Sequence, residues 1–163
     1  MDIRTNQVNS LLRNENEDIV TWGESYATGI ELIDNQHKEL VNLTNFLYKA
    51  CLIGNDAVDA AFKEALSKMV EYVRFHFTAE LELLNRISFP GYKDHKKQHD
   101  TLILKILDAS KNYGAGKKYV PYNLVMALKD WVFGHIAFND KAFAFYVKEQ
   151  RSKGLLTDKQ IFG

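Results

Sequence analysis

A chain of 163 residues is the size of one domain and long enough to bury a substantial core. Its 21 basic and 21 acidic residues cancel, which leaves no electrostatic footprint for nucleic acid or a membrane surface. The polar start MDIRTNQVNSLLRNENED has no secretory apolar segment, no run approaches the ~18 apolar residues of a membrane span, and the lone Cys51 can form no intrachain disulfide, so a soluble protein of the reducing cytoplasm is expected.

Only two prolines, Pro90 and Pro121, interrupt the chain, which points to long helices. Residues 1–20 read as a polar N-terminal arm, residues 21–149 as a helical unit, and residues 150–163 as a charged tail or short C-terminal extension. The first helix is expected to open on a Thr28-x-x-Glu31 capping box. Alternating steps of three and four then give the seam Ile30, Ile33, His37, Leu40, Thr44, Leu47 and Cys51, with a stop near Gly54. Asn55 or Asp56 would cap a second helix with the seam Phe62, Leu66, Met69, Val73, His76, Glu80 and Leu83, ending around Pro90 and Gly91. A third reads Tyr92, His95, His99, Leu102, Ile106, Ala109 and Tyr113 before Gly114-Ala115-Gly116. A fourth starts near Pro121 and reads Leu124, Leu128, Trp131 and His135. Four helices with short connections predict an all-α, up-down-up-down four-helix bundle.

All five histidines and Glu80 fall on faces that should be apolar. A buried imidazole or carboxylate without partners costs several kcal/mol, and six of them would strain a domain stable by only ~5–15 kcal/mol. Metal coordination satisfies all of them together. His76 and Glu80, like His95 and His99, lie four residues apart and share a helix face. His95-Lys-Lys-Gln-His99 lacks the glutamate of a zinc-peptidase helix. Five imidazoles and two carboxylates, Glu80 and Asp140, exceed one tetrahedral zinc and suit two ions with the carboxylates bridging. No Glu-x-x-His occurs, unlike ferritin-like di-iron bundles, and the excess of imidazole over carboxylate leans toward ligand binding over oxygen activation.

In its order of motifs the chain resembles the hemerythrin family, in its bacterial branch. The carriers are TWGESYATGIELIDNQHKEL ending around His37, His76-x-x-x-Glu80, FPGYKDHKKQH with His95 and His99, and WVFGHIAFNDK with His135 and Asp140. The resemblance spans roughly residues 20–145 and implies two iron ions with an oxo or hydroxo bridge that bind O2 reversibly. It implies that His95, His99 and His135 hold one iron, that His37 and His76 hold the other with one position open, and that Glu80 and Asp140 bridge. Leu40 and Val132 would wall the O2 pocket, and Trp131 would shield His135. Leu81 stands where many relatives have a second acid, without touching a ligand position.

His135 and Asp140 are five residues apart, about 140° around an ideal helix, so a local distortion such as a π-bulge, or a long reach by Asp140, is expected at 135–140. Three uses of such a site compete: O2 storage or delivery, an O2 or redox sensor reporting through the terminal extensions, and an enzyme acting on peroxide, nitric oxide or ferrous iron. No flavin, haem or nucleotide motif is visible to bring in electrons, and no signalling domain is fused, which favours the non-enzymatic carrier. The sequence names O2 as the ligand by resemblance and no protein partner. Cys51 reads as a small apolar core residue.

Overall fold

The computed structural model describes residues 18–54 and 56–162; the expected arm over residues 1–17 and the capping candidate Asn55 lie outside the described residues. Helix α1 spans Glu31–Ile53 and α2 spans Asp56–Tyr72. A π-helical segment, Val73–Phe77, then leads into α3, Thr78–Arg86. Helix α4 is Tyr92–Gly114 and α5 is Val120–Trp131. A second π segment, Val132–Asp140, continues into α6, Lys141–Ser152, and α7 is Asp158–Phe162. The described residues are all-helical, with no strand among them.

The junctions Tyr72, Thr78, Val132 and Lys141 all keep right-handed helical dihedrals, so each π segment joins its neighbours without a break in the backbone. Helix α1 packs on α2 and α5, α4 packs on α5 and α3, and α2 also meets α4. Each long helical stretch therefore has neighbours on two sides and turns its seam inward. Pro121 occupies the first turn of α5, where its missing N–H costs nothing. Gly54 ends α1 at φ +77°, and its N–H donates to the Ala50 carbonyl.

The Thr28–Glu31 capping box does not form. Gly29 takes φ +78°, outside helical space, so α1 begins only at Glu31. Asp34 replaces the box. Its Oδ1 accepts from the Thr28 backbone N–H and hydroxyl, each at 2.7 Å, and its Oδ2 accepts from the Gly29 N–H at 3.0 Å. One charged acceptor serving three loop donors takes the place of a box in which the hydroxyl and the carboxylate would each serve one.

The described residues flanking the long helices are tied to this frame. Asn45 exchanges hydrogen bonds with the Val20 backbone at 3.0 and 2.8 Å, and Lys49 pairs with Asp18 at 2.6 Å. The C-terminal residues dock: Leu156 and Ile161 are buried with Ile30, Ile33, Leu84, Ile87 and Phe143. Arg86 donates to the carbonyls of Gln160 and Ile161 and holds α7 in place. Cys51 is half-buried against the larger cluster, and burial pushes its thiol pKa up.

Two apolar clusters fill the interior. The larger holds Leu40, Leu47, Phe62, Met69, Leu102, Leu124 and Leu128; the smaller holds Ile33, Leu83, Leu84, Phe143 and Val147. On every long helical stretch the histidines and acids fall between residues of one cluster and residues of the other. A polar layer thus separates the two cores.

Candidate metal centre

His37, His76, Glu80, His95, His99, His135 and Asp140 are all buried, none more than 4% exposed. His37 comes from α1, His76 from the first π segment, Glu80 from α3, His95 and His99 from α4, and His135 and Asp140 from the second π segment. All seven residues expected from the sequence are therefore brought into one layer. A π turn bonds each residue to the one five positions on, so His135 and Asp140 become neighbours where a straight α-helix would part them. Their Nε2 and Oδ1 atoms are 3.1 Å apart. The first π segment, around His76, was not expected, because a spacing of four to Glu80 already fits an ordinary helix.

The donor atoms fall into two overlapping sets. Glu80, His95, His99 and His135 form one group able to hold a cation; His37, His76 and Glu80 form the other. Glu80 Oε2 lies 2.9 Å from both His95 Nε2 and His99 Nε2, and 3.8 Å from His76 Nε2. Asp140 spans the sets with its two oxygens. Oδ2 stands 3.1 Å from His37 Nε2, while Oδ1 stands 3.1 Å from His135 Nε2 and 3.5 Å from His95 Nε2. Both carboxylates thus lie between the imidazole groups.

Two glutamines fix how the imidazoles face this space. Gln36 Oε1 accepts from His76 Nδ1 at 2.9 Å, and Gln98 Oε1 accepts from His135 Nδ1 at 2.7 Å. An amide oxygen can only accept, so each ring presents its Nδ1–H to the glutamine and turns Nε2 inward. Aromatic faces hold these two rings and a third: Tyr72 stacks on His76 at 4.7 Å, Trp131 on His135 at 3.9 Å, and Phe77 on His99 at 3.7 Å. Neither glutamine was found from the sequence. The available signal was the repeated Gln-His dipeptide at 36–37 and 98–99.

The electrostatics suit a cation. Burial lowers the pKa of His76 to about 3 and also lowers that of His99, so both present neutral, ligating nitrogens. Burial alone would raise Glu80, but the surrounding histidines His76, His95 and His99 hold it well below the ordinary carboxylate range. Burial and Glu80 likewise push Asp140 up, and its contacts with His135 and His37 hold it low nonetheless. Two ionised acids therefore share one buried layer. His37 Nδ1 and Nε2, Glu80 Oε1, His99 Nδ1 and both Asp140 oxygens have no hydrogen-bond partner in good geometry, a costly state that a bound cation relieves for the inward-facing atoms. The residues present fit an imidazole-rich metal site with carboxylate ligands.

Of the three residues expected around the ligands, Leu40 is buried in the larger cluster one turn from His37, and Val132 is fully buried three residues before His135. Trp131 covers the His135 ring.

Residues 28–145 match the family model of the hemerythrin HHE cation binding domain. The chain is similar to a bacteriohemerythrin of Stenotrophomonas maltophilia, 30% identical over 155 residues, which is 89% of this chain and 99% of that protein. It is 31% identical over 144 residues to a bacteriohemerythrin of Pseudomonas paraeruginosa, covering 88% of this chain and 91% of that one. A hemerythrin-like protein of Naegleria gruberi is 28% identical over 122 residues, 75% of this chain and 88% of its own.

Proposed function

The chain belongs to the hemerythrin family, and from that premise we propose that it binds O2 reversibly at a non-haem di-iron site inside an up-down-up-down four-helix bundle formed by residues 21–149. In this reading His95, His99 and His135 hold one iron, and His37 and His76 hold the other with one position left open. Glu80 and Asp140 would bridge the two, together with an oxo or hydroxo group. The observation that carries the reading is the split of five imidazoles into groups of three and two, with one carboxylate shared and the other offering an oxygen to each side.

Bound iron supplies the electrons that make O2 binding possible; the protein supplies everything around it. Gln36 and Gln98 keep two imidazoles in the ligating tautomer. Tyr72, Phe77 and Trp131 hold rings in orientation. The two apolar clusters on either side of the layer would limit the access of water to it. In this reading the protein acts as a binder, carrying or storing O2. The site works in the cytoplasm, where the single thiol of Cys51 stays reduced. No helix among the described residues is long and apolar enough to cross a membrane.

Absorption titration of the anaerobically reduced, iron-loaded protein tests the proposal. Visible charge-transfer bands should appear with O2 and vanish when it is removed, over repeated cycles. Bands that never form, or that form once and do not reverse, would overturn the carrier reading.

A further inference from the structure

A groove of about 530 Å³ is lined by α1, the end of α2 and the first π segment, with His76 among its lining residues. Its lining changes in character with depth. The exposed rim carries Glu39, Glu71 and Lys68; the buried floor is made by Leu40, Leu43, Tyr72 and His76. The Tyr72 hydroxyl is buried without a hydrogen-bond partner among the described residues, and the Tyr72 ring lies on His76. The groove approaches the two-histidine side of the polar layer. On the other side His99 and His135 are covered by the stacked rings of Phe77 and Trp131.

We infer that this groove is a charge-selective entrance to the His37/His76 side of the site, admitting small neutral molecules and turning small anions away. The inference rests on the proposed di-iron reading for the identity of the neutral guest, O2. Its apolar wall, Leu40 and Leu43 with the ring of Phe46, offers a neutral diatomic a path free of desolvation cost. The charge at the rim is negative on balance. Glu39 and Glu71 face the groove, and the one cation there, Lys68, is already paired with Glu64 at 2.7 Å and lies over the Phe46 ring. A lined cleft with low-dielectric walls focuses such a field, so an anion meets a barrier that a neutral guest does not. Leu43 and Tyr72 belong to the buried floor, where added bulk would slow every guest alike.

Three probes of different charge test this on the full chain: O2 with the reduced iron-loaded protein, azide with the oxidised iron-loaded protein, and cobalt(II) uptake by the metal-free protein. The double variant Glu39→Gln/Glu71→Gln should bind azide roughly threefold faster or more at low salt, take up cobalt(II) more slowly, and bind O2 at an unchanged rate. At ~0.5 M salt the azide and cobalt differences should shrink. Leu43→Trp should slow all three probes, with O2 association and dissociation falling together so that affinity is kept. Asn42→Trp, on the exposed rim, is the steric variant if Leu43→Trp does not fold. An unchanged azide rate in the double variant, or steric variants that slow no probe, would overturn the entrance. Failure of O2 to bind reversibly to the wild-type protein would instead overturn the carrier reading, while the azide and cobalt rates still report on the groove.

Discussion

Gln36 and Gln98 each adjoin a site histidine in the chain but serve a histidine on a different helical stretch, which makes them the sharpest single-residue test of the site. Removing such a hydrogen-bond acceptor frees the ring to flip its tautomer and lowers the basicity of its inward nitrogen. Gln36→Leu or Gln98→Leu should therefore weaken metal binding by roughly 10–100-fold, read by chelator competition, while helix content stays the same. Glu at either position should restore most of the loss, because a carboxylate also accepts from Nδ1. Wild-type affinity in both leucine variants would show that these contacts are incidental. The histidines themselves were legible because an imidazole on an apolar seam breaks the pattern. The glutamines were not, since a half-buried amide at the edge of a seam looks like ordinary helix surface.

Helix ends and helix defects separate what a periodic pattern can carry from what it cannot. Seam spacing located the long helices and, through the mismatch of five between His135 and Asp140, the second π segment. It could not reveal the first, around His76, because nothing in a spacing of four calls for one. The start of α1 was misread for a related reason: Gly29 blocks helical dihedrals, and three-dimensional reach lets Asp34 serve the loop in place of Glu31. Asp34→Ala should accordingly cost about 1–3 kcal/mol in urea unfolding, and Glu31→Ala less than about 0.5 kcal/mol. A larger loss at Glu31 would restore the capping box. The short α7 makes a second test of local packing. Leu156 and Ile161 are among its cluster's buried residues, so Leu156→Ala and Ile161→Ala should each lower stability by about 2–5 kcal/mol. Variants as stable as the wild type would mean that the C-terminal residues leave this cluster in solution.

Across the whole molecule, a layer of titratable groups divides the interior into two apolar halves, so metal binding and folding must be coupled. Acid should expose that coupling. In the metal-free protein, burial sets His76 at about 3 and His99 below its ordinary 6.5, so the folded state refuses protons that the unfolded chain accepts. Stability is therefore lost as pH falls below ~6.5, by up to about 1.4 kcal/mol per pH unit for each ring. His95 acts in a different window. Burial opposes its charge, but its bond to Glu80 raises its pKa, so its contribution is complete below 6.5 and fades only at higher pH. Glu80 and Asp140 are held low and keep stabilising the fold until pH drops beneath their ordinary values of 4.5 and 3.8. Between ~6.5 and ~4.5 the depressed histidines thus decide the slope. Melting temperatures of the metal-free protein should fall steadily across that range. The loaded protein should stay nearly flat until protons displace the metal, because its ring nitrogens are already engaged. Equal slopes with and without metal would mean that these imidazoles are not the ligands.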